Sequence, residues 1–305
     1  MIELVKDPKY DFMSVKYFAF AFSAILILLG ITGIVQIFRG NANLGIELSG
    51  GTSIQVKFQK PFSMDQVRSI LSNAGFGEAQ LQGVEGENIL LVKMRALEGM
   101  EDRMVAEPVL KLFREQMPDN QFTVEGVSEI GPAIGHKLRQ DATWALGISA
   151  LAIILYLGWR FEFKFGVTAT VATFHDVFSM IGLFWLFGLE QDLLFITALL
   201  TIGGYSLTDT VVIFDRIREN VRLRKKPSFS EVINLSINEV LSRSLVTAFT
   251  MLLAILALLF FGGDVLRNFA IALLIGTVVG SFSSIFVAGP MLVLWRGEKI
   301  SEVKR

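Results

Sequence analysis

The chain has 305 residues, of which 52% are hydrophobic and 19% charged, whereas a soluble domain is typically less than half apolar and about a quarter charged. The net charge of −1 gives no electrostatic argument for nucleic acid as a partner, and the lack of cysteine excludes disulfides, thiol catalysis and cysteine-ligated metals. Two histidines, His136 and His175, are too few for a multi-histidine metal site, and no glycine-rich nucleotide loop is found, so no metal or cofactor is expected.

Apolar blocks recur along the chain at about the 20-residue length that a helix needs to cross a bilayer. These blocks are Tyr17–Phe38, Thr143–Trp159, Phe165–Phe187, Leu193–Phe214, Leu241–Phe261 and Phe269–Trp295. The first block is too long for the core of a signal peptide, and no small-residue cleavage pattern follows it, so it is expected to remain in place. Because backbone amides in lipid must bond within their own segment, each block predicts one transmembrane helix.

Basic residues in the short segments fall on alternating sides of the six predicted helices, and they place both termini in the cytoplasm. These residues are Lys6, Lys9, Lys16, Arg160, Lys164, Arg216, Arg218, Arg222, Arg224, Lys225, Lys226, Arg296, Lys299, Lys304 and Arg305. The predicted regions are a cytoplasmic N-terminus (1–16), the first helix (17–38), an external domain (39–142), helices two to six (143–295) with a basic cytoplasmic loop (215–240), and a cytoplasmic tail (296–305).

The long segment between the first two helices has the pattern of a small α+β domain. Strands are predicted at Thr52–Phe58, Glu78–Val84, Asn88–Met94 and Gln121–Val127, with a turn at Glu85–Glu87 and helices from Ser63 to about Ser72 and over Leu97–Gln116. Ser63 followed by Gln66 is typical of a capping box at the start of a helix. The order β-α-β-β-α-β predicts a ferredoxin-like fold. The domain has no cluster of catalytic residue types.

Asp209 lies in an otherwise uncharged stretch of the predicted fourth helix, roughly 10 Å before Arg216. A carboxylate there costs about 2.5–3.5 kcal/mol on insertion scales, so it is expected to face other helices or water and to mark a functional site. Low dielectric favours its neutral form, as a reversible proton carrier requires. Local hydrogen bonds are expected from Ser206, Thr208 and Thr210, and a close helix approach at Gly203 and Gly204. A structurally paired aspartate is the competing interpretation.

Arg243, at the membrane entry of the predicted fifth helix, is the expected partner of Asp209, because the fourth and fifth helices run antiparallel. Arginine stays charged at any relevant pH, so it would hold Asp209 ionised when near and release it to protonate when distant. Snorkelling of Arg243 to lipid headgroups is an equally weighted alternative.

His175 and Asp176 lie mid-way along the third predicted helix and complete the set of intramembrane candidates. Histidine titrates in the physiological range. Consecutive helix positions point about 100° apart, so the two side chains cannot both face one partner squarely. A structural hydrogen-bonded pair with another helix is therefore at least as strong an interpretation as a proton relay. In the last helix, small residues predict a close-packing face, made of Gly276, Gly280, Ser281, Ser283 and Ser284.

Several motifs resemble those of one family. The segment Gly204–Asn220 resembles the fourth-helix signature of the SecF family, and its matching residues include Gly204, Tyr205, Ser206, Thr210, Asp215 and Arg216. Thr208 departs from the usual asparagine. Gly45–Thr52, with Gly50 and Gly51, is similar to the motif that opens the family's external domain, although Glu47 stands where aspartate is common. Gly126–Leu138, with Gly131, Pro132 and Gly135, is similar to the motif before the second helix, and Phe174–Asp176 and Ser242–Ser244 also fit.

The resemblance implies an α-helical bacterial inner-membrane protein with six transmembrane helices, similar to half of a resistance-nodulation-division transporter, and an external ferredoxin-like domain between the first two. It implies a SecD partner, the SecYEG channel, unfolded polypeptide substrates and surrounding lipid. It also implies that the proton-motive force drives export, with proton passage at Asp209 and Arg243 and motion of the external domain.

Two other classes compete with export. A proton-coupled small-molecule or lipid efflux transporter of the same superfamily would need a pocket of ~300–1,000 Å³, for which a single small external domain leaves little room. An intramembrane protease would need a catalytic pair, and Asp209 with Asp176 is the one conceivable dyad in the sequence. Nothing in the sequence places those two residues together, so the chain is not expected to be an enzyme.

Overall fold

The computed structural model describes residues 8–84, 88–95, 105–223 and 228–297. The chain divides into two compact units: a helical unit formed by residues up to Asn43 and from Ala145 onward, and an α+β unit over Leu44–Trp144. Some predicted features lie outside the described residues: Lys6, the turn Glu85–Glu87, the beginning of the helix predicted from Leu97, the bases Arg224, Lys225 and Lys226, and the tail beyond Gly297 with Lys299, Lys304 and Arg305.

In the chain, one long helix precedes a small sheet with its short helices, and the other long helices follow the sheet. In chain order they are α1 (Lys16–Phe38), α2 (Ile46–Ser49), β1 (Gly51–Phe58), α3 (Met64–Asn73), β2 (Gln80–Val84), β3 (Ile89–Arg95), α4 (Ala106–Gln116), β4 (Phe122–Ile130), α5 (Pro132–Arg160), α6 (Phe163–Leu186), α7 (Leu193–Leu223), α8 (Phe229–Phe261), α9 (Gly263–Ser283), a π-helical turn (Ser284–Ala288) and α10 (Gly289–Arg296).

Six helical segments of the described chain are long and apolar enough to cross a membrane, which confirms the six predicted spans. Three helices extend furthest beyond the apolar blocks: α5 begins at Pro132, α7 continues to Leu223, and α8 begins at Phe229. Ser228 Oγ accepts a hydrogen bond of 3.2 Å from the Glu231 backbone N–H and so caps α8. The second half of the predicted basic loop (215–240) and the fifth span therefore form one continuous helix.

The sixth span is interrupted, although its sequence predicts a single helix. A π-helical turn over Ser284–Ala288 separates α9 from α10, and Pro290 follows within the first turn of α10. Proline has no backbone N–H to donate, and its ring crowds the carbonyl four residues earlier, so a regular helix cannot pass through this position. Widened turns of this kind occur frequently at functional sites, and this one lies beside the polar side chains described below.

Glycines bring two pairs of helices into close contact, α1 with α6 and α7 with α9. A Cβ atom at Gly182 of α6 would lie 2.5 Å from the Gly30 backbone nitrogen of α1. On α9, a Cβ at Gly276 would lie 2.5 Å from Ile202, and one at Gly280 would lie 2.9 Å from the Cβ of Ser206. The close-packing face predicted for the last helix is confirmed at these two glycines.

The close approach predicted at Gly203 and Gly204 is wrong. A Cβ at Gly204 would lie in open space, and one at Gly203 would make ordinary contacts at 3.8 Å and beyond. The glycines that α7 packs against belong to α9, because the small residue needed at a crossing can come from either helix.

The α+β unit has a four-stranded antiparallel sheet with strand order β2-β3-β1-β4. With α3 following β1 and α4 following β3, this is the split β-α-β arrangement of the ferredoxin-like fold, and the predicted fold is confirmed. Alternate residues of β1, namely Ile54, Val56 and Phe58, are buried in a core shared with α3 and α4. The location of this unit outside the membrane stays a prediction.

Details of the α+β unit differ from the prediction. Ser63 occupies the N-cap position of α3, but its side chain makes no capping hydrogen bond, so the predicted capping box with Gln66 is wrong. A short helix, α2, precedes β1. Strand β4 extends to Ile130 because its last residues pair with the start of β1, where Gly51 lies opposite Ile130.

Candidate functional site

Asp209 lies in the middle of α7 and is half-buried. Its Oδ1 accepts a hydrogen bond of 2.5 Å from the Ser244 hydroxyl of α8. The same helix that carries Arg243 therefore does reach Asp209, but through the next residue along. A hydroxyl can donate to a carboxylate or rotate to accept from a carboxylic acid, so Ser244 suits a group that changes its protonation state.

The neighbours expected to bond Asp209 from within α7 have other partners. Thr208 is exposed, and its Oγ1 donates to the Gly204 carbonyl oxygen (3.1 Å). Ser206 donates to Asp176 of α6, and Thr210 Oγ1 lies 2.9 Å from Ser284 Oγ in the π-helical turn. The local hydrogen bonds predicted for Asp209 are thus wrong, because the three hydroxyls bond to a backbone carbonyl of α7, to α6 and to the π-helical turn instead.

Arg243 is exposed, and it interacts with Asp209 electrostatically without a hydrogen bond between them. Ion pairs with nitrogen–oxygen distances up to 4.0 Å, among the described residues, involve other side chains. In this arrangement Arg243 can act on the charge of Asp209 and can also reach out of the bundle, so both interpretations made from the sequence stay open.

Asp176 is fully buried between α6, α7 and α9 and has three side-chain partners. Its Oδ1 lies 3.0 Å from His175 Nδ1, and its Oδ2 accepts hydrogen bonds from Ser206 (2.5 Å) and Ser283 (2.9 Å). The side chains of the pair are 1% and 0% exposed. Although they point in different directions, the histidine ring reaches back to the neighbouring carboxylate, which the angular argument from the sequence did not foresee.

Serines of the last helix complete this buried cluster. Ser283 donates to Asp176, while Ser284 donates to the Gly280 carbonyl oxygen (2.9 Å) and lies beside Thr210. The sequence predicted a packing face here. The two consecutive hydroxyls of Ser283 and Ser284 in an apolar helix are the signal that could have indicated a polar role. The cluster joins α6, α7 and the π-helical turn through polar side chains that have no access to solvent.

The two carboxylates have hydrogen-bond partners on different helices. Ser206, the partner of Asp176, is three residues before Asp209, and Asp209 itself turns towards α8. No hydrogen bond joins the two carboxyl groups among the residues described. The described residues also contain no group of three or more His, Cys, Asp or Glu side chains suited to a metal ion. Through Ser206, Asp176 is linked to α7, the helix that carries Asp209.

The motif residues that follow Asp209 form ion pairs where α7 leaves the apolar stretch. Asp215 accepts from Arg160 at the end of α5 (2.6 Å), and Arg216 donates to Glu219 (2.6 Å) and Glu239 (2.7 Å). These side chains are partly exposed, so each pair contributes little to stability by itself. These ion pairs connect α7 to α5 through Arg160 and to α8 through Glu239.

Tyr205 is half-buried and packs beside a cluster of buried apolar residues contributed by α6, α7, α8 and α9. It lies one turn before Asp209 on the same side of α7, and it interacts with that carboxylate electrostatically. Along α7, Tyr205 therefore lies between this apolar cluster and Asp209.

The glycine motifs of the α+β unit meet each other. Gly50 has φ +75°, a conformation that favours glycine, and a Cβ there would lie 3.1 Å from Pro132 Cα. A Cβ at Gly135 would lie 2.6 Å from the Gly50 nitrogen. Gly51 also has a positive φ, of 146°, and begins β1. A Cβ at Gly131 would lie in open space, and nothing in the structure explains a glycine at that position.

The fold and the site together define a class of protein. A bundle with six spans, an inserted ferredoxin-like unit and carboxylates buried between helices is a multi-pass membrane protein of the transport class.

Two family descriptions match the chain. "Protein export membrane protein SecD/SecF, C-terminal" matches residues 110–298, and "SecD/SecF GG Motif" matches residues 43–62. The protein translocase subunit SecF of Thermodesulfovibrio yellowstonii is 45% identical over 96% of this chain and 97% of its own length. The SecF of Escherichia coli O157:H7 is 37% identical over 92% of this chain and 86% of its own length. The chain belongs to the SecD/SecF family of protein-export membrane proteins, among the SecF subunits.

Solved structures agree with this assignment. The crystal structure of SecDF from Thermus thermophilus is 38% identical and superposes with a TM-score of 0.80 over 95% of this chain. The chain spans 39% of the length of that SecDF chain. A second SecDF crystal structure, described as a super-membrane-facing form, is 35% identical with a TM-score of 0.69. The relatives are named as transport components rather than as enzymes.

Proposed function

We propose that Asp209 is the carboxylate through which this SecF-type translocase subunit couples the proton-motive force to protein export. The observation that supports the proposal is the single hydrogen bond of 2.5 Å from Ser244 to a half-buried carboxylate in the middle of a transmembrane helix. An intramembrane acid of this kind marks a functional site by default, and proton relays are among the roles such acids have. A hydroxyl partner from another helix lets a change in protonation alter the contact between α7 and α8.

Arg243 adjusts the charge state of Asp209 in this mechanism. When the guanidinium approaches, the ionised carboxylate is favoured, and when it moves away the carboxylic acid is favoured. The exposed position of Arg243 leaves it free to move, and the electrostatic interaction with Asp209 provides the coupling. Protonation weakens the attraction between the two and shifts the packing of α8 on α7.

The chain works with partners in this proposal. SecD is the first of these partners, because the solved structures that this chain resembles are of SecDF, of which the chain spans 39%. Both act beside the SecYEG channel in the bacterial cytoplasmic membrane on unfolded polypeptides, with both termini of this chain in the cytoplasm and the α+β unit outside. Surrounding lipid completes the set of partners.

Proton entry drives motion of the α+β unit through α1 and α5, which precede and follow it in the chain. One proton moving down a gradient of 100 mV supplies about 2.3 kcal/mol. That is enough to bias a two-state equilibrium roughly fifty-fold. The step suits a ratchet that prevents backsliding of the substrate, whereas unfolding a stable substrate, at about 5–15 kcal/mol, requires more.

The efflux alternative has less support. The apolar cavity bounded by α5, α6 and α7, with Ile153, Thr173 and Leu199 in its lining, has a volume of about 120 Å³. Binding sites for drug-sized molecules need roughly 300 Å³ or more. The relatives carry the translocase name, which also favours export.

The test is export of a reporter protein in membrane vesicles that contain this chain with its SecD partner. Asp209→Asn keeps the size and polarity of the side chain but cannot ionise. We expect the gradient-dependent part of export to be lost and the ATP-driven part to remain.

Asp192→Asn provides the matched control, because Asp192 caps the start of the same helix through the Phe195 backbone N–H (2.7 Å) and lies far along α7 from Asp209. Equal insertion of all variants is checked by quantitative immunoblotting. If Asp209→Asn responds to the gradient like the wild type, the proposal fails, and Asp209 has a structural role.

A further inference from the structure

Two buried polar atoms on facing helices have no protein partner among the described residues: Ser23 Oγ of α1 and His175 Nε2 of α6. Ser23 is 5% exposed and His175 is 2% exposed. Polar atoms buried without a partner cost free energy, so such pairs call for an explanation. The two atoms belong to different helices that pack directly against each other.

The packing of α1 on α6 brings these two residues to the same level. The helices are parallel in register: Gly30 contacts Phe178 and Gly182, and Gly33 contacts Ile181 and Trp185. Ser23 and His175 each come seven residues, or about two turns, before Gly30 and Gly182. The buried positions of α1 repeat at spacings of three and four, so Ser23 lies on the face that meets α6.

A third side chain marks the same location from α9. The Phe282 ring lies 5.4 Å from the ring of Phe22, the neighbour of Ser23, and 6.4 Å from the His175 imidazole. Phe282 thus bounds the space between α1 and α6 at this level. A buried water molecule needs at least two polar partners, and Ser23 Oγ and His175 Nε2 supply two.

The chemistry of His175 requires a partner at Nε2. Its Nδ1 lies 3.0 Å from Asp176 Oδ1, so one nitrogen is already committed. In the neutral imidazole the other nitrogen accepts a hydrogen bond, and in the imidazolium it donates one. A water molecule can donate to Nε2 in the first case and accept from it in the second. The same water molecule can also bond to a serine hydroxyl.

We propose that a buried water molecule bridges Ser23 Oγ and His175 Nε2. The bridge extends the buried polar cluster into one continuous chain of hydrogen bonds: Ser23, water, His175, Asp176 and Ser206. It runs from α1, which precedes the α+β unit in the chain, to α7, which carries Asp209 three residues beyond Ser206. Ser23 is then a positioning residue that fixes the histidine ring. Its contribution to coupling rests on the proposed function of Asp209.

The test uses the fact that the chain has only two histidines, His136 and His175. ¹⁵N-histidine labelling of the full chain in lipid gives two sets of ring signals by solid-state NMR, and His136→Gln assigns them. Ser23→Ala is expected to shift the His175 Nε2 resonance, because the water loses its second anchor. Ser23→Thr, which keeps the hydroxyl, and Thr32→Ala, which removes an exposed hydroxyl from the same helix, are expected to leave it in place.

An unchanged Nε2 resonance in Ser23→Ala, or an equal shift in Thr32→Ala, overturns the proposal. A second measurement needs no variant: magnetisation is expected to pass from water protons to the His175 ring in the wild type, and a ring that receives none also overturns it.

The export assay then separates structure from coupling. We expect Ser23→Ala to reduce gradient-driven export about two- to threefold, as for substitutions along a coupling network. A shifted resonance with wild-type export removes the role in coupling and leaves the water bridge. Failure of Asp209→Asn to affect export is a separate result, because the NMR measurement does not depend on it.

Discussion

Asp209 and Asp176 lie on neighbouring helices of the same unit, and they differ in what surrounds each carboxylate. Asp209 is half-buried and accepts one hydrogen bond, from Ser244 of α8. Asp176 is fully buried and holds His175, Ser206 and Ser283 around it. Ser206 of α7 donates to Asp176 and lies three residues before Asp209, so it links the two sites.

The difference separates two tasks that one residue type can perform. A carboxylate with few partners and partial access can change protonation at small structural cost. A carboxylate with every oxygen bonded and no access holds helices together, because its partners would be left unsatisfied without it. We therefore expect substitutions at Asp176 to affect stability most, and those at Asp209 to affect coupling most.

The largest effect on stability is expected for Asp176→Ala. The substitution leaves His175 Nδ1 and the hydroxyls of Ser206 and Ser283 without an acceptor in a buried site. Removing one partner from such a site costs about 3–5 kcal/mol. The free energy of unfolding in mixed detergent micelles measures the loss.

Asp176→Asn serves as the control, because the amide keeps the shape and one acceptor oxygen, and a smaller loss is expected. If Asp176→Ala were no less stable than Asp209→Asn, the contrast between the two carboxylates would be wrong.

The sequence identified the candidates but not their partners. Composition and block length predict six spans, since an apolar block of the right length has few other stable states in lipid. The alternation in β1 and the order of strands and helices predict the ferredoxin-like sheet. Asp209 is conspicuous because charge in a transmembrane helix is costly.

The partners depend on how each helix is rotated about its axis. In α8 the apolar residues surround the helix on all sides beyond Arg243, so periodicity does not show which side faces α7. Ser244 and Arg243 differ by about 100° of rotation, and the structure places the serine on Asp209. The same uncertainty hid the contact of Ser206 with Asp176, which requires knowing the crossing of α6 and α7.

Gly280→Ala is expected to disturb the Asp176 site without removing any of its polar atoms. In Gly280→Ala the new methyl group would lie 2.9 Å from the Cβ of Ser206, so α9 must move away from α7. Overpacking of this kind costs about 1–3 kcal/mol. The same unfolding assay measures this loss of stability. We expect a clear loss of stability and a smaller effect on Asp209-dependent export.

Gly204→Ala is the matched control for this change. It makes the same substitution on α7 at a position where the added methyl group meets nothing. Stability is expected to stay the same or to rise slightly, because alanine favours the helix over glycine. Equal losses in both variants would show that helix crossing at Gly280 is not what supports the Asp176 site.

The smallest effect on stability is expected for Ser244→Ala, which removes the hydrogen bond to Asp209. A net hydrogen bond contributes about 0.5–1.5 kcal/mol, and the half-buried carboxylate keeps access to other partners. Gradient-driven export is nevertheless expected to fall measurably, because the contact between α7 and α8 no longer responds to the state of Asp209. Stability and export are measured on the same vesicle preparations.

Asp215→Asn calibrates that result, since it breaks the partly exposed ion pair with Arg160 on the same helix, two turns beyond Asp209. Partly exposed pairs contribute at most about 1 kcal/mol, so its effect on stability should match that of Ser244→Ala while gradient-driven export is retained. Two variants with equal stability and different coupling would separate the function of the Asp209 site from its contribution to the fold. Equal export in both would mean that Ser244 holds the helix in place and takes no part in the proton step.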